Sequence, residues 1–277
     1  GSWLFEPQST NLIPYSEEFL STANVTLSNT ISPDGTLNAL KINETTNSSQ
    51  HYASAYAASV VSGNMYTVSF YIKKGTYDLV TVYTQSSIIR AVLAIRFSTE
   101  SAVGSGDDFI LGSNFMEAVG NGWYRVGFSC TPISTGTSST YLTVKDLNNY
   151  LGQASNYTEY WGFQIEQQSY ATSYIPTSGS TVTRNQDLCT NGGSLASINS
   201  TEGTLYAEIS TLNGDSGSNR TISLSDSTNG NQIRFYFPIN IEGQIKIRVD
   251  VGGSTIYIFD YNIATSETPI KLAFRYS

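Results

Sequence analysis

Apolar side chains recur at every second position along most of this chain, a period that fits a pleated strand and not a helix. Tyr66, Val68, Phe70 and Ile72 form one such run, which stops at Lys73-Lys74-Gly75. Gln244 to Val251 forms another, predicting Ile245, Ile247, Val249 and Val251 toward a core and Lys246, Arg248 and Asp250 toward water. The stretch from Asn156 to Glu166 puts Trp161, Phe163 and Ile165 on one face and Gly162, Gln164 and Glu166 on the other. No stretch carries the helical period. About eight strands fit into the first part of the chain, separated by turn signals, which is the pattern of an antiparallel sandwich of jelly-roll type. The fold class that follows is all-β, with two antiparallel β-sandwich (jelly-roll) domains in series.

The breaks between strands have chemical causes. Ser32-Pro33-Asp34-Gly35-Thr36 is a turn by composition. Asn121-Gly122 is a hairpin signal because both residues tolerate positive φ, and the strand after it should set Trp123 and Arg125 against Tyr124, Val126, Phe128 and Cys130. Residues 169–201 have no period and are rich in Ser, Thr and Gly, with Pro176 and Gly179 as breakers, so they read as a linker. The expected division is therefore 1–168, a sandwich; 169–201, a linker, with Asn191-Gly192-Gly193 as loop; and 202–277, a second β domain. Six strands are expected in that second domain, at 202–209, 221–226, 231–237, 244–251, 255–261 and 270–276. It is short for a sandwich, so it is expected to be partial, to gain strands from a partner, or to close as a small sheet.

Composition excludes several classes of function. Only 13% of residues are charged and 12% are aromatic, against about 25% charged in an average domain. The formal net charge of -8 opposes nucleic acid and anionic membrane surfaces, which need clustered Lys and Arg. Cys130 and Cys189 are too far apart and too few to form a disulfide framework. His51 is the single histidine and cannot complete an imidazole metal site; a strand position with a local hydrogen bond is its expected role. Asp107-Asp108 offers oxygen ligands of the kind calcium takes, but without the spacing of a calcium loop, so solvated turn residues are expected and no cofactor is required. Nucleophile elbows, Cys-x-x-Cys pairs and phosphate-binding glycine loops do not occur in the sequence. The acids suited to glycoside hydrolysis sit mostly at strand ends or on wet faces, so no catalytic role is expected.

A surface built from Ser, Thr, Asn, Gln and Tyr suits hydroxyl-rich ligands. Nineteen tyrosines exceed what one core accommodates, since each buried phenol needs a hydrogen-bond partner. Sugar binding by a sandwich needs aromatic rings that stack on pyranose faces, beside side chains that bond hydroxyls. The candidates are Tyr56, Tyr77, Tyr83, Tyr150 and Tyr157, with Gln85, Arg90, Asp146 and Asn148. Trp123 and Trp161 are assigned to packing.

Several short motifs carry a family resemblance: Asn11-Leu12-Ile13 with Ser16-Glu17-Glu18-Phe19, Pro33-Asp34-Gly35-Thr36, the run Tyr66 to Tyr77, Gly120-Asn121-Gly122-Trp123-Tyr124-Arg125, and Ser173-Tyr174-Ile175-Pro176-Thr177 followed by Thr183-Arg184-Asn185. Together they resemble the carbohydrate-binding-module-like (galactose-binding-like) β-sandwich of phage tail-fibre and other virion proteins. Glu202-Gly203-Thr204-Leu205-Tyr206-Ala207-Glu208 resembles the first strand of concanavalin- or laminin-G-like lectin sandwiches. The resemblance implies a non-catalytic adhesion module at a virion surface or outside the cell, recognising bacterial surface glycan. Other fibre subunits, a homotrimer among the options, are the implied protein partners. The alternatives are a structural spacer or oligomerisation domain with no ligand, and an accessory module of a polysaccharide-degrading enzyme.

Overall fold

The computed structural model describes residues 4–85, 90–108, 110, 113–187, 201–209, 220–238, 244–262 and 269–277. Among them the chain is all-β and its strand ladders are antiparallel, with a single 3-10 turn at Phe97–Thr99. It divides into two compact units, Gly1–Leu188 and Cys189–Ser277.

The first unit is built on two six-stranded sheets. One runs, in spatial order, Ser101–Ser105, Arg90–Arg96, Leu79–Gln85, Thr140–Thr143, Tyr52–Ala55, Phe19–Ala23. The other runs Phe115–Gly120, Trp123–Cys130, Tyr66–Lys73, Tyr157–Glu166, Ala39–Glu44, Val25–Thr30. Alternation turns Val80, Val82, Leu93, Ile95 and Leu142 of the first sheet toward Val68, Phe70, Ile72, Val126, Phe128 and Tyr160 of the second, and these residues form one buried core. Each large side chain buried there contributes about 1.5 to 3 kcal/mol. Two side-chain bonds cross between the sheets: the Tyr160 phenol donates to the Thr143 carbonyl at 2.7 Å, and the Thr158 hydroxyl to the Val144 carbonyl at 2.9 Å. The Asn121-Gly122 hairpin forms as its composition requires, with φ of 52° and 77°.

The Tyr157–Glu166 strand departs from simple alternation. Gly162 adopts φ of 64°, and the register with Tyr66–Lys73 shifts between Trp161 and Gln164. This bulge sends Trp161 to the outer face against Tyr71, while Phe163 and Ile165 stay in the core, so the three do not share a face. Both faces of the strand are buried.

The second cover comes from residues expected to be linker. Ser169 and Gln168 accept through their carbonyls from Ser129 Oγ at 2.9 Å and Thr67 Oγ1 at 2.7 Å. Ile175 N–H donates to Gln164 Oε1 at 2.8 Å, and Val182–Arg184 pairs with Ser9–Asn11. Residues 169–187 therefore belong to the first unit, because their polar backbone finds partners on the outer face of its sheet. Residues 188–200 of that expected linker, with Cys189 and Asn191-Gly192-Gly193, lie outside the described residues. Cys130 is a free, buried thiol, pushed up to about 12 by burial and secondarily by the charge of Asp108.

The second unit contains a four-stranded meander, Arg220–Ser225, Gln232–Phe237, Gln244–Val251, Ser254–Asn262, and a pair, Gly203–Ile209 with Ile270–Tyr276. Leu205 and Ala207 of the pair and Phe235 of the meander make its core, flanked by Ile209, Leu224, Ile233, Ile247, Leu272 and Phe274. One expectation is reversed here. Asp250 is buried and Val251 exposed, beside a bulge in which Ile256 of Ser254–Asn262 is the extra residue between the pairs Val249–Tyr257 and Asp250–Thr255. The buried carboxylate accepts from Arg248 Nε and Thr255 Oγ1, both at 2.7 Å, and from Gln232 Nε2 at 3.0 Å.

Candidate functional site

Strand Leu79–Gln85 turns Val80, Val82 and Thr84 inward, so Thr81 and Tyr83 face the opposite way. Tyr141 on Thr140–Thr143 stands directly opposite Tyr83, and Tyr52 on Tyr52–Ala55 stands opposite Thr143. Three half-exposed tyrosines thus step across three adjacent strands on the outer face of one sheet. The Tyr52 and Tyr141 rings meet edge to face, with centroids 4.9 Å apart and planes at 83°. Val92 lies opposite Tyr83 and Ala94 opposite Thr81, which keeps the surface beside the rings low. Gln85 and Arg90 face each other in the register at the end of the same ladder. Arg90 is exposed, 3.1 Å from Asp107, and its backbone N–H donates to Asp108. The two aspartates therefore hold that turn, and among the described residues no three His, Cys, Asp or Glu side chains converge to hold a metal.

A second grouping lies around Glu44. This buried carboxylate accepts from the Tyr150 hydroxyl at 2.8 Å, the Gln153 N–H at 2.8 Å and Asn156 Nδ2 at 3.0 Å. Asn156 Nδ2 also donates to the Tyr77 hydroxyl at 2.7 Å. The Lys145 ammonium lies 5.1 Å from the Tyr150 ring centroid and 5.6 Å from that of Tyr77. Asp146 caps the adjoining turn by accepting the Asn148 N–H at 2.8 Å. Buried His51 packs its ring 4.7 Å from Tyr150 and sets Nε2 3.2 Å from the Thr45 carbonyl. Gly152 makes this possible, since a Cβ there would overlap both the Thr45 carbonyl and the imidazole.

The structure thus divides the nine sequence candidates. Tyr83, Gln85 and Arg90 share one ladder; Tyr77, Tyr150, Asp146 and Asn148 lie around Glu44. Tyr157 sits on the outer face of the other sheet, with Lys41 Nζ 3.7 Å above its ring. Tyr56 is apart, 4.5 Å from Tyr15. Trp123 and Trp161 are buried with Ala39, flanked by Tyr71 and Tyr174. Sequence reasoning missed Tyr52 and Tyr141. The alternation of Tyr141 with Leu142 marked an outward ring, but its place beside Tyr83 depends on a register between distant segments.

Burial raises the pKa of Tyr77, Tyr150, Tyr160 and Tyr174, and Glu44 adds charge repulsion at Tyr77 and Tyr150. A phenol whose folded pKa is raised holds its proton longer in the folded state, so stability is full below pH about 10 and falls as pH rises above it. An alkaline titration should therefore show phenolate absorbance from these groups appearing together with loss of tertiary structure. Their ionisation at the ordinary phenol pKa while the fold persists would contradict this.

No protein-family model matches the chain, and no curated protein matches it in sequence.

Proposed function

We propose that the first unit is a non-catalytic carbohydrate-binding module, and that its binding surface is the tyrosine row Tyr52–Tyr141–Tyr83. The row supports this reading because it offers half-exposed rings at strand spacing on a sheet face, where successive sugar rings could stack, with Arg90 at its margin to bond hydroxyls. The Glu44 grouping is the weaker surface, since the hydroxyls of Tyr77 and Tyr150 are already engaged by Asn156 and Glu44. Placement in a phage virion fibre or similar surface protein, with bacterial surface glycan as ligand and other fibre subunits as neighbours, rests on the motifs between Asn11 and Arg184. No helix of the described residues is long and apolar enough to cross a membrane.

A glycan-array and host-cell binding screen of the 277-residue chain tests the proposal. Tyr83→Ala and Tyr141→Ala should each weaken saturable binding roughly tenfold, about 1.4 kcal/mol. Tyr150→Ala should leave it unchanged. Loss with Tyr150→Ala alone would move the site to the Glu44 grouping, and absence of any glycan binding would favour a spacer role.

A further inference from the structure

The six strands of the sheet that carries the tyrosine row contain no Asp, Glu or Lys, and their only charges are Arg90 and Arg96, the first and last residues of one strand. Both are already paired, Arg90 with Asp107 at 3.1 Å and Arg96 with Asp78 at 3.7 Å. The other six-stranded sheet differs, with Lys41, Lys73, Glu117, Arg125 and Glu159 on its strands. Register adds a second feature to the uncharged sheet. Ser21 stands opposite Ser54, Ser54 opposite Tyr141, Tyr141 opposite Tyr83, Tyr83 opposite Val92 and Val92 opposite Ser105. This line takes one residue from each strand and crosses the sheet from edge to edge. Ala53, Leu142, Val82, Leu93 and Ala102 hold the inward places beside it, so the line lies on the outer face. Tyr52, Thr81 and Ala94 lie two residues along their strands on the same face, and they too are uncharged.

We propose that the ligand of this face is an uncharged polysaccharide whose chain lies along that line, across the strands and between Arg90 and Arg96. The inference rests on the tyrosine row being the sugar surface, and it fixes the charge, direction and length of what the surface takes. Adjacent strands stand about 4.8 Å apart, close to the length of one pyranose in an extended chain, so the six strands accommodate about five sugar units. Tyr141 and Tyr83, opposite each other on adjacent strands, meet successive units, and Tyr52 meets the next. The small side chains of Thr81, Ala94 and Ser54 beside the rings let the chain lie close to the sheet. A uronic or sialic acid unit would bring a carboxylate onto a surface whose two arginines are already engaged, and its lost hydration would go uncompensated.

Calorimetric titration of the 277-residue chain with β-1,4-linked oligomers of glucose, mannose and N-acetylglucosamine and β-1,3-linked oligomers of glucose, beside polygalacturonate and polysialic acid, tests it. Affinity for at least one neutral series should rise about tenfold or more from the dimer to the pentamer and then level off, and the polyanions should bind about tenfold more weakly than that pentamer or not at all. Ser105→Tyr should tighten the pentamer about threefold, because a ring there extends the line at its far end, and should leave the dimer unchanged. Ser101→Tyr, on the same strand but off the line, should change neither. Affinity independent of length, a polyanion bound as tightly as the neutral pentamer, or a Ser105→Tyr chain no better than Ser101→Tyr would overturn the inference while leaving the sugar surface in place. If neither the neutral series nor the polyanions bind, the sugar surface itself is overturned, and this inference with it.

Discussion

Replacing Glu166 by Ala should cost about 3 to 5 kcal/mol of folding free energy, because several buried neutral donors lose their acceptor at once. Glu166 is fully buried. Its carboxylate accepts from Ser9 Oγ at 2.6 Å, Gln168 Nε2 at 3.1 Å, Thr172 N–H at 3.0 Å and Thr172 Oγ1 at 2.5 Å. It thereby ties the first strand of the unit and the covering segment 168–177 to the end of the same strand, Tyr157–Glu166. Truncation leaves these donors without an acceptor in a site closed to water, and their desolvation is then uncompensated. Urea unfolding should show a lower midpoint with little change in slope, and amides of residues 172–177 should exchange faster in the folded state. A loss under about 1 kcal/mol would mean that water satisfies these donors and that the covering segment is not held by the carboxylate.

Glu44→Ala should cost nearly as much, about 3 kcal/mol, with a local consequence that Glu166→Ala lacks. Three donors from Tyr150, Gln153 and Asn156 converge on Glu44, and the Tyr77 hydroxyl is reached through Asn156. Without the carboxylate, Tyr150 loses the bond that fixes its ring beside His51. Glu44→Gln keeps one acceptor oxygen but sets an amide N–H₂ among donors, so its loss should be intermediate. If the sugar-binding surface is the tyrosine row, either variant should retain binding at temperatures where it is folded. Differential scanning calorimetry beside the glycan screen separates the two effects. Lost binding by a fully folded Glu44→Gln would place the ligand at the Glu44 grouping.

The strands themselves were legible. Tyr66–Lys73 and Gln244–Val251 appear where the alternation of their side chains put them, because a pleat buries every second residue whatever lies around it. The Asn121-Gly122 turn was legible for an equally local reason, the tolerance of both residues for positive φ. The bulges were not. At Gly162 a glycine signalled freedom without saying that it would be used, and the burial of Asp250 beside the bulge at Ile256 depends on Arg248, Gln232 and Thr255 being there to receive a carboxylate. The segment 169–177 was expected to be linker because its residues are polar and aperiodic. It packs because Asn11, Ser16, Gln164 and Glu166 offer it hydrogen bonds, and the Ser9–Glu166 bond of the same network spans 157 positions in the chain.

The candidate site divides along the same line. Sequence marked Tyr83, Gln85 and Arg90 as outward-facing and polar or aromatic, because composition and period are properties of each segment alone. That Tyr52 and Tyr141 complete the row follows from pairing among strands that begin at residues 52, 79 and 140, and no local pattern encodes which distant strand will supply a neighbour. Local stereochemistry thus determined the all-β class, the turns and the direction of most side chains. The tertiary structure decided which rings share a surface, which carboxylates are buried and where the first unit ends, because these depend on long-range hydrogen-bond satisfaction and on register.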